Sequence, residues 1–149
     1  VPRWSPWRAA SKLPNLSIRL DRLPDETGGG ALARRGDQVV IVLDRRLSSV
    51  ERRVMLTHEL VHHERGSSSR CHDTGYLSPH IVQEERAVER EVARRLVPAG
   101  DLQIFIDRSI NLGQGVEPRH VAEEFEVTES VAALAMRNLK IELARRPGC

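Results

Sequence analysis

The stretch from Ser48 to Gly66 constrains this chain more than any other, because it reads as one helix with chemistry in its interior. Ser48-Ser49-Val50-Glu51 is a capping box, in which the serine side chain accepts from a backbone N–H of the first turn and Glu51 reaches back to the N–H of Ser48. Gly66 suits the left-handed conformation in which helices stop. Between these ends Leu56 and Leu60 share one face, while Val50, Val54, Met55 and Val61 lie opposite, with His58 and His62. A helix apolar on two sides belongs inside a domain. Polar residues carried into that position need partners to offset the loss of water.

Those polar residues form the pattern His58-Glu59-Leu60-Val61-His62. Positions four apart on a helix project about 40° from each other and about 6 Å along the axis, so both imidazoles can reach one metal ion. Glu59 is turned about 100° from His58, beside such a metal rather than on it, where a carboxylate can orient a water and take its proton. The bland alternative is a solvated, charged helix that happens to carry two histidines, and the apolar faces around them argue against it. Two imidazoles and one carboxylate suit zinc, and catalytic zinc takes three protein ligands with one position left open.

Several groups are candidates for the third ligand. A helix ending at a glycine three residues after the second histidine, with another histidine three further on, would supply an imidazole, but Arg65 and Ser68 occupy those places. A glutamate from a second helix is the other common choice. Ile81 to Pro98 reads as that helix, with Ile81, Val82, Val88, Val92 and Leu96 on one stripe and Arg86, Arg90 and Arg94 on the polar face. Glu85 falls within the stripe and is the first candidate. Glu89, one turn on at its edge, is the alternative ligand or a partner for a ligand histidine.

The run Leu56-Thr57-His58-Glu59-Leu60-Val61-His62, followed by Glu85 through Leu96-Val97-Pro98, resembles the two halves of the ImmA/IrrE family of zinc metallopeptidases. That family's second motif closes on a proline thirteen residues after its metal-binding glutamate, and Pro98 stands thirteen residues after Glu85. Val88-Glu89 replaces the usual Ala-Asn, and Glu91-Val92 the usual Phe-Ala. The resemblance implies a zinc-dependent endopeptidase with Zn2+ on His58, His62 and Glu85 and with Glu59 as catalytic base. It also implies a protein substrate, a helix-turn-helix transcriptional repressor controlling stress, mobile-element or phage genes. The alternative is a non-proteolytic, zinc-containing regulatory module that binds a repressor or DNA. An intact Glu59 favours the peptidase, since a purely structural site needs no base.

The flanking segments predict an α+β fold: a small twisted antiparallel sheet beside the central, zincin-like helix, followed by a helical C-terminal segment. Val1 to Pro14, with Trp4 and Trp7, reads as an arm carrying at most one short helix. Leu16 to Leu20 alternates apolar and polar residues like a half-buried strand. Ala31 to Arg35 and Gln38 to Leu43 suit a hairpin across Gly36-Asp37. Gly28-Gly29-Gly30 lacks the Lys-Ser/Thr of a phosphate loop and reads as a turn. Val39 to Leu43 is the candidate edge strand on which an extended substrate would pair. In the polar stretch between the two helices, Cys71, His72 and Asp73 are not needed as ligands, and Tyr76 is a candidate to stabilise an oxyanion.

Residues 1–115 are expected to form the zincin-like domain with its arm, and 116–149 a helix-turn-helix-like tail. In the tail, Thr128 would cap the second helix, and Phe125, Val127, Val131, Leu134 and Leu139 would form a small core. The start of that helix offers Glu129, Ser130, Ala132 and Ala133, whereas base edges are read mainly by Arg, Lys, Asn and Gln. DNA binding is therefore not expected, and a net charge of +2 without a basic block gives no reason to revise that. The two cysteines, Cys71 and Cys149, do not suggest a disulfide framework. With no apolar run of membrane-spanning length and no signal-peptide core, a cytoplasmic location is expected and no membrane partner.

Overall fold

The computed structural model describes residues 3–66 and 79–145. The fold is α+β, and the chain divides into two compact units, residues 1–88 and 89–149.

The first unit opens with α1 (Pro6–Ser11), where Ser5 caps the helix and Pro6 occupies its first turn. Three strands follow, β1 (Leu16–Asp21), β2 (Gly30–Arg35) and β3 (Gln38–Asp44), and then α2 (Ser49–Arg65). Strand order is β1-β3-β2. β2 and β3 form the expected antiparallel hairpin, with Gly36 in the left-handed conformation at φ 60°. β1 runs parallel to β3, with Leu16 opposite Val39 and Asp21 opposite Asp44.

The sheet is thus mixed rather than wholly antiparallel, and Val39 to Leu43 lies in the centre rather than at the edge. The physical reason is visible in β3 itself. Val39-Val40-Ile41-Val42-Leu43 is apolar at every position, as a strand flanked on both sides tends to be. The more polar β1 and β2 take the edges.

One face of the sheet supplies the core. Ile41 and Leu43 pack with Leu56 and Leu60 of α2 and with Ala10 of α1, and Trp4, Leu13, Leu16, Ile18, Leu32 and Met55 close around them. Met55 therefore joins the sheet-facing cluster rather than the histidine face. Both hydrogen bonds of the capping box form: Glu51 N–H donates to Ser48 Oγ at 3.2 Å, and Ser48 N–H donates to Glu51 Oε2 at 2.7 Å. Gly66 ends α2 at φ 70°.

Asp44, buried at the end of β3, ties the loops together. Its Oδ1 accepts from Arg46 Nε and N–H, and its Oδ2 accepts from Leu23 N–H and Arg46 Nη2. Arg46 Nη2 also donates to Leu23 O and Asp25 Oδ1. The segment before β2 is thereby pinned to the segment that leads into α2.

The last helix of this unit, α3 (Pro79–Leu96), continues into the second. Its predicted stripe is observed, with Val88, Val92 and Leu96 buried, Ile81 and Val82 half-buried, and Arg86, Arg90 and Arg94 exposed. The second unit adds α4 (Ala99–Asn111), α5 (Pro118–Phe125) and α6 (Glu129–Arg145). Phe105 of α4 meets Phe125 of α5 edge to face, ring centroids 6.1 Å apart. Glu126, at φ 53°, turns the chain from α5 toward α6. Of the expected core of the tail, Phe125, Val127 and Leu139 are buried, while Val131 and Leu134 are half-buried. Ala132 and Ala135 take the buried positions on α6 instead. No helix among the described residues is long and apolar enough to cross a membrane.

Hydrogen bonds from Arg46 hold the Asp44 carboxyl well below the usual carboxylate range. Because the folded value is depressed, the stabilisation is present above the unfolded value, about 3.9 for an aspartate, and is lost as pH falls below it. Asp44→Asn is expected to lower the melting temperature at neutral pH and to flatten its decline below about pH 4. Thermal scans of both proteins from pH 7 to pH 3 check this; parallel curves would contradict it.

Candidate metal centre

Leu56 and Leu60, locked into the sheet, set the rotation of α2 and so decide where its polar side chains go. His62 and Glu59 have side chains only 0% and 1% exposed, while His58, at 21%, looks partly outward. The two imidazoles meet edge to face, centroids 4.7 Å apart. Glu85 comes from α3 and sets one carboxylate oxygen against each ring: Oε1 lies 2.9 Å from His62 Nε2, and Oε2 lies 3.2 Å from His58 Nε2. One ligand atom from each of the three residues falls within 4.8 Å of the others.

Glu59 meets the other nitrogen of the His58 ring, its Oε1 3.4 Å from Nδ1. That contact leaves Nε2 as the nitrogen turned toward Glu85. Its Oε2 is buried and has no hydrogen-bond partner among the described residues. Burial alone would lower the His58 pKa, but hydrogen bonds to Glu59 and Glu85 outweigh it and push it up to about 9. Two carboxylates thus converge on one imidazole in a partly desolvated site, a field that favours a cation. The donor set of two imidazoles and a carboxylate, with an unpartnered carboxylate oxygen beside it, fits a divalent metal of the zinc type.

The first strand residue of β2 forms the wall beside Glu59. A Cβ added to Gly30 would meet Met55 Cγ at 2.5 Å, Met55 Sδ at 2.7 Å and Glu59 Oε1 at 3.0 Å. The absence of a side chain therefore lets β2 approach α2 next to the carboxylate. Farther along, Arg34 Nη2 donates to the His63 carbonyl at 3.4 Å. At the end of α2, Arg65 Nε and Nη2 donate to the two oxygens of Glu84 at 2.6 and 2.9 Å.

Of the candidates read from the sequence, His58, His62 and Glu85 are brought together and Glu59 lies beside them. Glu89 is exposed, and His63 is half-buried. Tyr76, Cys71, His72 and Asp73 lie outside the described residues. Sequence reasoning missed Gly30 and the Arg65–Glu84 pair. The glycine was legible only as a turn former, and no local pattern links an arginine on one helix to a glutamate on another.

The model of the Peptidase_M78 family, described as an IrrE N-terminal-like domain, matches residues 14–137. No curated protein and no solved structure matches the chain.

Gly30→Ala is expected to destabilise the fold by about 1–3 kcal/mol through overcrowding against Met55, and Gly30→Val by more. The Gly30→Ala/Met55→Ala double variant should lose less stability than the sum of the two single changes, since the flexible thioether is the nearest obstacle. Denaturant unfolding of the single and double variants reads this out, and a strictly additive double variant would contradict the contact.

Proposed function

The chain belongs to the Peptidase_M78 family of IrrE N-terminal-like domains, and from that premise we propose that it is a zinc-dependent endopeptidase that cleaves a helix-turn-helix transcriptional repressor. Family membership carries the metallopeptidase class and, with it, a protein substrate. The observation that supports this site is the convergence of His58, His62 and Glu85 within 4.8 Å, with the buried Glu59 beside them.

His58, His62 and Glu85 would hold the metal. When bound, zinc supplies Lewis-acid chemistry, polarising the scissile carbonyl and acidifying water. Glu59 then does the proton work. Its unpartnered Oε2 accepts a proton from the water that adds to the carbonyl carbon, and the same carboxyl delivers that proton to the amide nitrogen as the C–N bond breaks. The His58 contact to Glu59 Oε1 keeps the carboxylate oriented while Oε2 remains available. Because β3 is flanked on both sides, an extended substrate has β2 as its pairing edge, whose start at Gly30 lies against Glu59. Tyr76 is assigned the role of stabilising the oxyanion.

In this reading residues 1–115 carry the peptidase and 116–149 form a helical tail that recognises protein rather than DNA, the whole acting in the cytoplasm on regulators of stress, mobile-element or phage genes.

Glu59→Gln tests the mechanism, because it keeps the shape of the side chain and removes the base. Zinc content is expected to stay at the wild-type level while cleavage of a panel of purified repressors, followed by mass spectrometry, falls by at least about 100-fold. Undiminished cleavage by the variant would contradict the role of Glu59. Wild-type protein that binds a repressor and zinc without cutting would point instead to a non-proteolytic regulatory module.

A further inference from the structure

His58 and His62 share a helix, so their mutual geometry follows from α2 alone, whereas Glu85 arrives from α3. Its reach to both imidazoles depends on how far α3 is displaced along its own axis and how it is rotated about it. A rotation of a few tens of degrees would carry the Glu85 carboxylate away from the histidines, since successive residues on a helix are already about 100° apart.

The residue before Glu85 is held in a manner that restricts both movements. Both carboxylate oxygens of Glu84 are engaged by a single guanidinium, Arg65 Nε to Oε1 at 2.6 Å and Nη2 to Oε2 at 2.9 Å. Arg65 lies three residues past His62, so the pair connects the last turn of the histidine helix directly to the neighbour of the third ligand. Two parallel N–H···O bonds fix orientation as well as distance. A lysine ammonium, as a point charge, reproduces the distance and not the fork.

We infer that Arg65 and Glu84 are positioning residues for the metal centre: their forked ion pair holds α3 in the register that delivers Glu85 to His58 and His62. The inference rests on the metal-binding reading of that site. Side-chain exposures of 42% and 33% place the pair at the surface, where an ordinary ion pair contributes little to stability. Its effect should therefore appear in metal affinity and leave the folding of the metal-free chain nearly unchanged.

The test is zinc affinity of the full chain by chelator competition, with thermal unfolding of the metal-free forms alongside. Arg65→Ala and Glu84→Gln are expected to weaken zinc binding about tenfold, within the range known for partners that orient metal ligands. Arg65→Lys is expected to recover only part of that loss. The charge-exchanged double variant, Arg65→Glu with Glu84→Arg, is expected to bind more tightly than either of its single changes. Melting of the metal-free proteins should stay near wild type throughout. Unchanged affinity in Arg65→Ala and Glu84→Gln, or a loss matched by an equal loss of metal-free stability, would overturn the positioning role. Wild-type protein that takes up no zinc would overturn the metal centre itself and the positioning role with it, a result distinct from wild-type binding that the pair does not influence.

Discussion

The contact on which the rest of this structure depends is the reach of one carboxylate, Glu85, to two imidazoles on another helix. α2 carries a fully buried histidine and a fully buried glutamate through its middle, an arrangement costing several kcal/mol if those groups were left without partners. Glu85 meets that need for the imidazoles, its two oxygens facing the Nε2 atoms of His58 and His62 at 3.2 and 2.9 Å, while Glu59 Oε1 lies 3.4 Å from His58 Nδ1. A divalent cation among the same atoms would satisfy all three donors. Within the first unit, the sheet and its loops hold α2 in the orientation that this convergence needs.

The sheet contributes by setting the rotation of α2. Ile41 and Leu43 receive Leu56 and Leu60, and once those leucines are committed, His58, Glu59 and His62 have little freedom in direction. β2 then approaches closely enough that a Cβ at position 30 would crowd Met55 beside Glu59. The Asp44–Arg46 network pins the segment before β2 against the exit of β3, coupling the position of that glycine to the start of α2. Apolar packing, a missing side chain and an ion pair on the buried Asp44 carboxylate thus act on the same few residues from three directions.

Much of this was legible in the sequence where the physics is local. The capping box at Ser48 and Glu51, the stop at Gly66, the hairpin across Gly36 and the apolar stripe around Glu85 all involve residues within a few positions of one another, and each is observed. The pairing of β1 was not legible, because the alternation in Leu16 to Leu20 reports a half-buried strand without saying which neighbour it takes or in which direction. The unbroken apolar run of β3 did carry the signal of a central strand, since a strand flanked on both sides has little use for polar residues. The motif that closes on Pro98 says nothing of α4; the same proline, with its φ held at −58°, immediately precedes the first residue of the next helix. Gly30 and the Arg65–Glu84 pair depend on contacts between distant segments, for which no spacing rule exists.

Metal content reports most directly on whether Glu85 completes the centre. Mass spectrometric analysis of wild type and Glu85→Ala, purified in parallel without added metal or chelator, should find about one zinc per chain in the first and little in the second, given three protein ligands for a zinc of this kind. Equal metal in both proteins would remove Glu85 from the site, and a metal-free wild type would contradict the metal centre outright.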